Sequence, residues 1–331
     1  MTILTIAIVL SILMMGAYLY IRRTPHGMVE FKSGLVLKFL PSLDHLEPIK
    51  LRASLENFVA KNLHKVKVPV RTIKDMEIST RHGAIRGRLY NDAEGLMDRC
   101  IIFYHGGGFC IGSIETHNEQ ARRLAKATGL PVLSVNYSLS PEAKFPQAFE
   151  ECVDSILWAK DHYESLGLSQ AKFVTMGDSA GGNLAITSAM ELVKQGHADL
   201  ISQVVPIYPV TDSSSKDYES IKLYGEGYYL TTKAMDNFVR DYLPAPEDAL
   251  DVRCSPLLEE DLSQFPPSFI LTAGFDPLRD QGEAFAAKLK EAGCQVQLKR
   301  YDNAIHAFFG LQDFGKKGLI AVEDVAQYLK E

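Results

Sequence analysis

One segment of this chain places a serine where it could act as a nucleophile. The segment is Gly177-Asp178-Ser179-Ala180-Gly181, which follows an apolar run and precedes residues with helical spacing. A Gly-x-Ser-x-Gly pattern in this context forms a tight turn that exposes the serine at the end of a strand. The glycines are needed because a Cβ atom at either position would collide with the neighbouring backbone. We therefore predict that Ser179 is a nucleophile at the carboxyl edge of a sheet.

A serine hydroxyl needs a base to accept its proton and a carboxylate to orient that base. His306 and Asp276 each follow an apolar run with strand character, and along the chain they come after the serine in the order Asp, His. That order is the one that the strand-turn-helix serine site requires. Asp280 is the alternative carboxylate, but we expect it to begin the next helix, where a negative charge is favourable. The sequence thus predicts a triad of Ser179, Asp276 and His306.

Three consecutive glycines follow His105, directly after another apolar run. Glycine lets the backbone approach a bound carbonyl group and turn its N–H groups toward the oxygen. We expect the N–H groups of Gly107, Gly108 and Ala180 to form an oxyanion hole, with His105 and Gly106 supporting the loop. A phosphate-binding loop is excluded because no Lys-Ser/Thr follows the glycines, and the spacing does not fit a dinucleotide site.

Strand-like and helix-like segments alternate between these motifs. Continuous apolar strands that are joined by helices predict an α/β fold with a mostly parallel sheet covered on both faces. An opening hairpin is predicted at 75–90. The predicted strands are 100–104, 131–137, 172–176, 203–208, 268–272 and 296–301, and the predicted helices are 117–128, 146–163, 181–194 and 281–292.

The chain divides into three predicted parts. Residues 1–21 contain no charged side chain and end before Arg22 and Arg23. About 20 residues of helix reach roughly 30 Å, the thickness of a bilayer core, so we predict a single transmembrane anchor. Basic residues on its C-terminal side would leave the catalytic domain in the cytoplasm. The alternative is that this segment is an apolar helix of the enzyme's cap.

The remaining parts are a connecting region and a catalytic domain. Residues 22–74 mix apolar and charged positions at helical spacing and are predicted to be a linker with cap helices. Residues 75–331 form the predicted catalytic domain. Within it, 211–250 is rich in Tyr, Ser, Asp and Gly and lacks a strand pattern, so we expect a cap insertion over the carboxyl edge of the sheet.

The overall composition excludes several classes of partner. The net charge is −6 and the basic residues are scattered, so no nucleic-acid surface is expected. Five cysteines are present without the paired spacing of a zinc site, and we expect them to be reduced structural thiols. No metal or cofactor is predicted, and a homodimer stays an open alternative.

Four motifs together resemble the hormone-sensitive-lipase-like family of carboxylesterases. They are HGGGF, GDSAGG, DPLRD and HAF, and the resemblance covers the chain from about Asp75 onward. It implies an eight-stranded α/β-hydrolase fold with an N-terminal cap, and it implies the triad and oxyanion roles assigned above. It also implies that Asp178 braces the serine turn. The anchor resembles the membrane-anchored deacetylase and cholesteryl-ester-hydrolase branch of that family.

One loop departs from the family pattern. The chain has Tyr-Ser-Leu-Ser-Pro-Glu from Tyr137 to Glu142, where the family usually has Tyr-Arg-Leu-Ala-Pro-Glu. Because Ser138 stands where the family has arginine, an ion pair that would brace this loop is missing.

These features predict a serine carboxylesterase that acts on small apolar acyl esters through an acyl-enzyme. An amidase or deacetylase would use the same triad and is the first alternative. The second is a catalytically inactive hydrolase fold that serves as a receptor; such a protein would be expected to have lost a triad residue, and all three are present here.

Overall fold

The computed structural model describes residues 3–39, 47–62, 67–310 and 315–331. Side chains are described from Leu10 onward, except those of Phe58 and of residues 60–62. The predicted anchor therefore starts two residues before the described range. The predicted linker and cap region includes 40–46 and 63–66, which lie outside it.

Eight strands form one sheet in the described part of the chain. In chain order they are β1 (Thr72–Thr80), β2 (Gly83–Asn91), β3 (Cys100–Tyr104), β4 (Val132–Asn136), β5 (Phe173–Asp178), β6 (Ile201–Ile207), β7 (Ser268–Phe275) and β8 (Val296–Ile305). Their spatial order is β8-β7-β6-β5-β3-β4-β2-β1. The β1–β2 and β2–β4 pairs are antiparallel, and all other pairs are parallel. The predicted eight-stranded, mostly parallel sheet is confirmed.

Helices cover both faces of this sheet, and three further helices precede its first strand in the chain. They are α1 (Ile3–Arg22), α2 (Phe31–Phe39), α3 (Pro48–Asn62), α4 (Asn118–Thr128), α5 (Gln147–Asp161), α6 (Ala180–Lys194), α7 (Glu219–Tyr224), α8 (Thr232–Tyr242), α9 (Arg279–Glu291) and α10 (Lys316–Tyr328). The predicted insertion at 211–250 contains α7 and α8. The division into a connecting region at 22–74 and a catalytic domain at 75–331 stays a prediction.

The central strands bury both of their faces, which is why they read as continuous apolar runs. In β3, Ile102 and Tyr104 pack in the apolar cluster formed with α5, α6 and α9. The alternate residues Ile101 and Phe103 pack in the cluster formed with α4 and α10. Because side chains alternate along a strand, one short segment holds two helical layers together. The carboxyl ends of these strands are thereby fixed relative to one another.

The prediction of a transmembrane anchor is wrong. In the ranges given above, no helix is long and apolar enough to cross a membrane. The cytoplasmic, membrane-bound localisation and the membrane partner depended on that anchor and are withdrawn with it.

The C-terminal end of α1 contacts the segment that follows the helix. Arg22 Nε donates a hydrogen bond to the carbonyl oxygen of Val29 at 2.8 Å, and the Tyr18 ring stacks on Phe31. Val29 in turn is buried with Phe275 at the end of β7. The segment after α1 therefore packs directly on the sheet.

Candidate active site

Ser179 lies in the turn between β5 and α6. Its φ is +56°, a left-handed conformation that residues other than glycine rarely adopt. A Cβ atom at Gly181 would lie 2.0 Å from the carbonyl oxygen of Tyr104, and one at Gly177 would lie 2.3 Å from that of Gly181. The N–H of Ser179 donates to the carbonyl oxygen of Ile207 at 2.8 Å, which ties the turn to the end of β6. The two glycines thus permit the close packing that holds Ser179 at the carboxyl edge.

The structure brings the three predicted triad residues together. His306 Nε2 lies 3.0 Å from Ser179 Oγ, and His306 Nδ1 lies 2.7 Å from Asp276 Oδ2. The N–H of Leu278 donates to the other oxygen of Asp276 at 2.8 Å, which fixes the carboxylate. Asp276 is fully buried and His306 is 5% exposed. A proton from the serine can therefore pass to an imidazole whose far nitrogen is already hydrogen-bonded.

Asp280, the alternative carboxylate, is placed elsewhere. It lies in the first turn of α9, where Oδ2 accepts from the N–H of Ser220 at 2.7 Å and Oδ1 accepts from Arg279 Nε at 2.8 Å. Burial raises the pKa of Asp280, but these hydrogen bonds outweigh it and hold the pKa below its ordinary value. Its carboxylate joins α9 to α7 and makes no contact with His306.

The glycine loop lines the same cavity as Ser179. Gly107 and Gly108 have φ values of +126° and +59°, which side chains disfavour. Their N–H groups have no acceptor among the hydrogen bonds of the described residues. Ala180 is the first residue of α6, so its N–H is also without an intrahelical partner. All three predicted donors therefore remain available to an anion at the helix N-terminus.

Asp178 links the serine turn to the glycine loop. Its Oδ1 accepts from the N–H of Gly106 at 3.0 Å and lies 3.3 Å from His117 Nε2. A Cβ atom at Gly106 would lie 2.5 Å from Asp178 Oδ2, so only glycine fits there. Burial raises the pKa of Asp178, but His117 and the Gly106 N–H together hold it below its ordinary value. The predicted bracing residue is therefore an ionised carboxylate shared by both loops.

His105 is buried beneath the same loop. Its Nδ1 lies 3.0 Å from the carbonyl oxygen of Gly106, and its ring stacks on Tyr137 with centroids 4.3 Å apart. Burial, with a smaller contribution from His117, lowers the pKa of His105 to about 3. The imidazole is therefore neutral near pH 7 and packs under the loop, as predicted for a supporting residue.

A cavity of about 240 Å³ opens in front of Ser179 and His306. The predicted insertion at 211–250 contributes an apolar wall to it, and α3 adds Leu55 and Val59. From the insertion the lining residues include Leu230, Met235, Phe238, Val239 and Tyr242. Pockets that bind small molecules are mostly apolar with a few placed polar groups, and this cavity has that character.

Comparison with known proteins assigns the family. Residues 101–310 match the family described as the alpha/beta hydrolase fold. This chain is a member of that α/β-hydrolase family. The match includes the glycine loop, the serine turn and the segments that carry Asp276 and His306. The resemblance to the hormone-sensitive-lipase-like family of α/β hydrolases is therefore confirmed, whereas membership of its membrane-anchored deacetylase branch is not supported.

Several relatives of this α/β hydrolase are ester hydrolases. It is 35% identical to an ethyl acetate hydrolase of Pseudomonas putida over 88% of this chain and 92% of that protein. It is 36% identical to an arylesterase of Saccharolobus solfataricus over 79% of this chain and 84% of that protein. An esterase structure from Pyrobaculum calidifontis superposes with a TM-score of 0.83 at 36% identity, covering 87% of this chain and 94% of that one. The prediction of a serine carboxylic-ester hydrolase is confirmed.

Two residues near the site were missed in the sequence. His117, which pairs with Asp178, stands at the start of α4 in no recognised motif. Arg52, on α3, donates to the loop at 138–142 that lacks the expected arginine. The one signal for Arg52 was that missing cation, but spacing along the chain cannot show which distant residue replaces it.

Proposed function

We propose that this α/β hydrolase cleaves small apolar esters with Ser179 as nucleophile, His306 as base and Asp276 as the group that orients the base. The observation that carries the proposal is the hydrogen-bonded relay of 3.0 Å and 2.7 Å through His306. Gly107 and Gly108 line the same cavity as Ser179 and His306, and Ala180 directly follows the serine. A nucleophile, a base and an oxyanion site are the parts that acyl transfer needs.

In the first half-reaction, Ser179 Oγ attacks the ester carbonyl carbon while its proton moves to His306 Nε2. The carbonyl oxygen becomes an oxyanion that accepts hydrogen bonds from the N–H groups of Gly107, Gly108 and Ala180. Collapse of this intermediate breaks the bond to the alcohol, which leaves with the proton from His306. Asp276 keeps the Nδ1–H in place and stabilises the imidazolium. An acyl-enzyme remains on Ser179.

In the second half-reaction, water takes the place of the alcohol. His306 accepts a proton from the water as its oxygen attacks the acyl carbon, and the oxyanion forms again in the same hole. Collapse returns the proton to Ser179 Oγ and releases the carboxylic acid. Each step uses only groups of this chain and water.

The substrate class follows from the cavity. Its volume of about 240 Å³ is below the roughly 300 Å³ at which pockets for drug-sized ligands begin. The apolar wall from α3 and α8 favours an uncharged ester. The names of the relatives support this choice, since one is an ethyl acetate hydrolase and another is an arylesterase. We therefore expect short acyl chains to be preferred over long ones.

The test measures hydrolysis of p-nitrophenyl acetate, butyrate and laurate by the full chain and by Ser179→Ala. Circular dichroism checks that both proteins are folded. We expect turnover that depends on Ser179 and is highest with the two short esters. Turnover that survives in Ser179→Ala would refute the nucleophile, and folded wild-type protein without turnover would favour the receptor alternative. A matched p-nitroanilide tests the amidase alternative, which requires the amide to be cleaved at a comparable rate.

A further inference from the structure

The loop that lacks the family arginine has a different partner in this protein. Ser138, at the position of that arginine, donates to the carboxylate of Glu151 through its N–H at 2.6 Å and its hydroxyl at 2.8 Å. Gln147 Nε2 donates to the same carboxylate at 2.9 Å. Neutral donors therefore satisfy Glu151, and the outer part of the loop must be fixed in another way.

The guanidinium of Arg52, on α3, fixes the outer part of this loop. Arg52 Nη2 donates to the carbonyl oxygen of Ser140 at 2.6 Å, and both Nη atoms contact the carboxylate of Glu142 at 2.7 and 2.9 Å. Arg52 Nε donates to the carbonyl oxygen of Cys110 at 2.8 Å. Arginine can serve these acceptors at once because its donors form a rigid planar fork. One side chain of α3 thus joins two loops of the catalytic domain.

Cys110 belongs to the turn that carries the proposed oxyanion donors. Its N–H and that of Ile111 donate to the carbonyl oxygen of Gly107 at 3.1 and 2.9 Å. The N–H of Ser140 donates to the carbonyl oxygen of Phe109 at 2.9 Å. Arg52 therefore closes a ring of hydrogen bonds that runs through Cys110, Phe109 and Ser140. This ring fixes the C-terminal half of the turn whose N-terminal half presents Gly107 and Gly108.

A second contact comes from the same face of α3. Glu56, one helical turn after Arg52, lies with Oε1 2.5 Å from Ser113 Oγ, and this hydroxyl donates to the carboxylate. Leu55, which lies between Arg52 and Glu56 in the sequence, and Val59, which follows them, line the cavity. Residues at i and i+4 share a helix face, so the seating of α3 on the glycine loop also places its apolar side chains against the substrate.

We propose that Arg52 is a positioning residue for the oxyanion hole, which it controls by holding the turn at Cys110 and the loop at Ser140. This inference rests on the proposed function of the glycine loop. The bonds to backbone carbonyls carry the effect, because Cys110 and Ser140 are buried while the Glu142 side chain is 53% exposed. An exposed ion pair contributes little by itself.

The expected effect is on the chemical step. Arg52→Gln removes the charge and most of the fork, so the turn can relax while the triad, which Arg52 does not touch, stays in place. Loss of one oxyanion donor costs about 100- to 1,000-fold in kcat, and displaced donors should cost about tenfold or more. KM for p-nitrophenyl butyrate should change by less than about threefold, because the donors act mainly on the transition state.

The experiment compares Arg52→Gln with Lys50→Gln, a variant on the same helix. Lys50 pairs with Glu47 at the surface and does not contact the glycine loop, so the control also removes one cation from α3. Rates are divided by the number of sites titrated with a fluorophosphonate, so unfolded protein is not counted. A trifluoromethyl ketone, which forms a tetrahedral oxyanion adduct with the serine, probes the hole directly. We expect its affinity to fall by the same factor as kcat/KM in Arg52→Gln and to be unchanged in Lys50→Gln.

Three further variants separate positioning from stability. Arg52→Lys keeps a cation and most of the stem but cannot reach all the acceptors, so it should lose kcat as well. Millimolar guanidinium should restore part of the kcat of Arg52→Ala and none of any loss in Lys50→Gln. Glu142→Gln should lose less than Arg52→Gln, since the backbone bonds of Arg52 remain.

Normal kcat per titrated site in Arg52→Gln would overturn the proposal. So would a loss of kcat without any loss of affinity for the ketone, since the hole would then be intact. Failure of the proposed function looks different, because turnover would then persist in Ser179→Ala whatever happens at Arg52.

Discussion

At the scale of single residues, spacing predicted which side chains meet, whereas crowding explains why the glycines are required. Ser179, Asp276 and His306 could be named from their order and from the strands before them. The need for both glycines was predicted as well, but the carbonyl oxygen of Tyr104, 2.0 Å from a Cβ atom at Gly181, could not be named because Tyr104 lies far away in the sequence. His117 and Arg52 were missed for the same reason. Their partners are distant in sequence, and a polar pair of this kind leaves no periodic pattern.

Gly107→Val should abolish most esterase activity. A Cβ atom there would lie 2.1 Å from the carbonyl oxygen of Ile111, and the φ of +126° is itself unfavourable for valine. The backbone must shift, and the loss of an oxyanion donor costs about 100- to 1,000-fold in kcat. Gly83→Val is the matched control, since Gly83 also has a positive φ but nothing within 4 Å of the added Cβ. The measurement is kcat/KM for p-nitrophenyl butyrate, and near-normal turnover in Gly107→Val would refute the assigned hole.

Asp276→Asn should lower kcat by about 10,000-fold, because an amide donor at Nδ1 favours the wrong histidine tautomer. The fold should persist, since the amide is nearly the same size as the carboxylate. Asp280→Asn tests the alternative carboxylate; it should lose stability through its contacts with Ser220 and Arg279 but keep kcat. If the two variants showed the reverse pattern of rates, Asp280 would be the orienting residue.

At the scale of elements, the alternation of strands and helices was predictable, while their ends and their docking were not. The strand predicted at 268–272 continues to Phe275, because Ala273 and Phe275 pair with Tyr301 and Ile305 of β8. The apolar stretch at residues 1–21 met the length expected of an anchor. The hydropathy of one segment could not show that Arg22 donates a hydrogen bond to Val29 or that Tyr18 stacks on Phe31.

The glycine loop should make the fold sensitive to mild acid through His105. Burial lowers the pKa of this histidine from 6.5 to about 3. Between these values the unfolded chain binds a proton that the folded protein excludes. The neutral, buried His105 therefore makes its full contribution to stability above pH 6.5, and this contribution falls as the pH drops toward 3. At pH 5 the loss should be about 2 kcal/mol. Urea unfolding at pH 7 and pH 5 measures it.

The matched variants for this pH effect are His105→Asn and His162→Asn. Asparagine at 105 can still donate near the carbonyl oxygen of Gly106 but does not titrate, so the difference between pH 7 and pH 5 should shrink by about 2 kcal/mol. His162 lies exposed at the end of α5, and its replacement should keep the wild-type difference. Equal pH dependence in His105→Asn and wild type would contradict the buried neutral histidine.

The cap helix α8 should set acyl preference through Phe238. Its ring lies over the glycine loop, since a Cβ atom at Gly108 would be 2.3 Å from Phe238 Cγ, and it lines the cavity. Phe238→Ala should raise kcat/KM for p-nitrophenyl laurate relative to acetate by roughly tenfold, the scale of effects from pocket methylenes. Lys233→Ala, on the exposed side of α8, should leave the ratio unchanged. An unaltered ratio in Phe238→Ala would place acyl selection in another part of the cavity.

At the scale of the whole molecule, the sheet brings to one edge the triad residues that lie far apart in the sequence. Ser179, Asp276 and His306 each follow a parallel strand, and parallel neighbours end at the same edge. That topology could be predicted from continuous apolar runs joined by helices. The cap could be predicted only as a region, because α3, α7 and α8 owe their positions to contacts such as Arg52 with Cys110 rather than to their own periodicity. The fold therefore fixes the chemistry, and the cap contacts shape the substrate pocket.

The most direct test of whether Ser179 is the nucleophile is to label it covalently. The full chain is mixed with a fluorophosphonate, digested, and the modified peptide is identified by mass spectrometry, with Ser179→Ala treated in parallel. We expect one adduct, on Ser179, that appears at the rate at which esterase activity is lost and is absent from the variant. An adduct on another residue, or ester turnover that continues in the unlabelled Ser179→Ala protein, would contradict it.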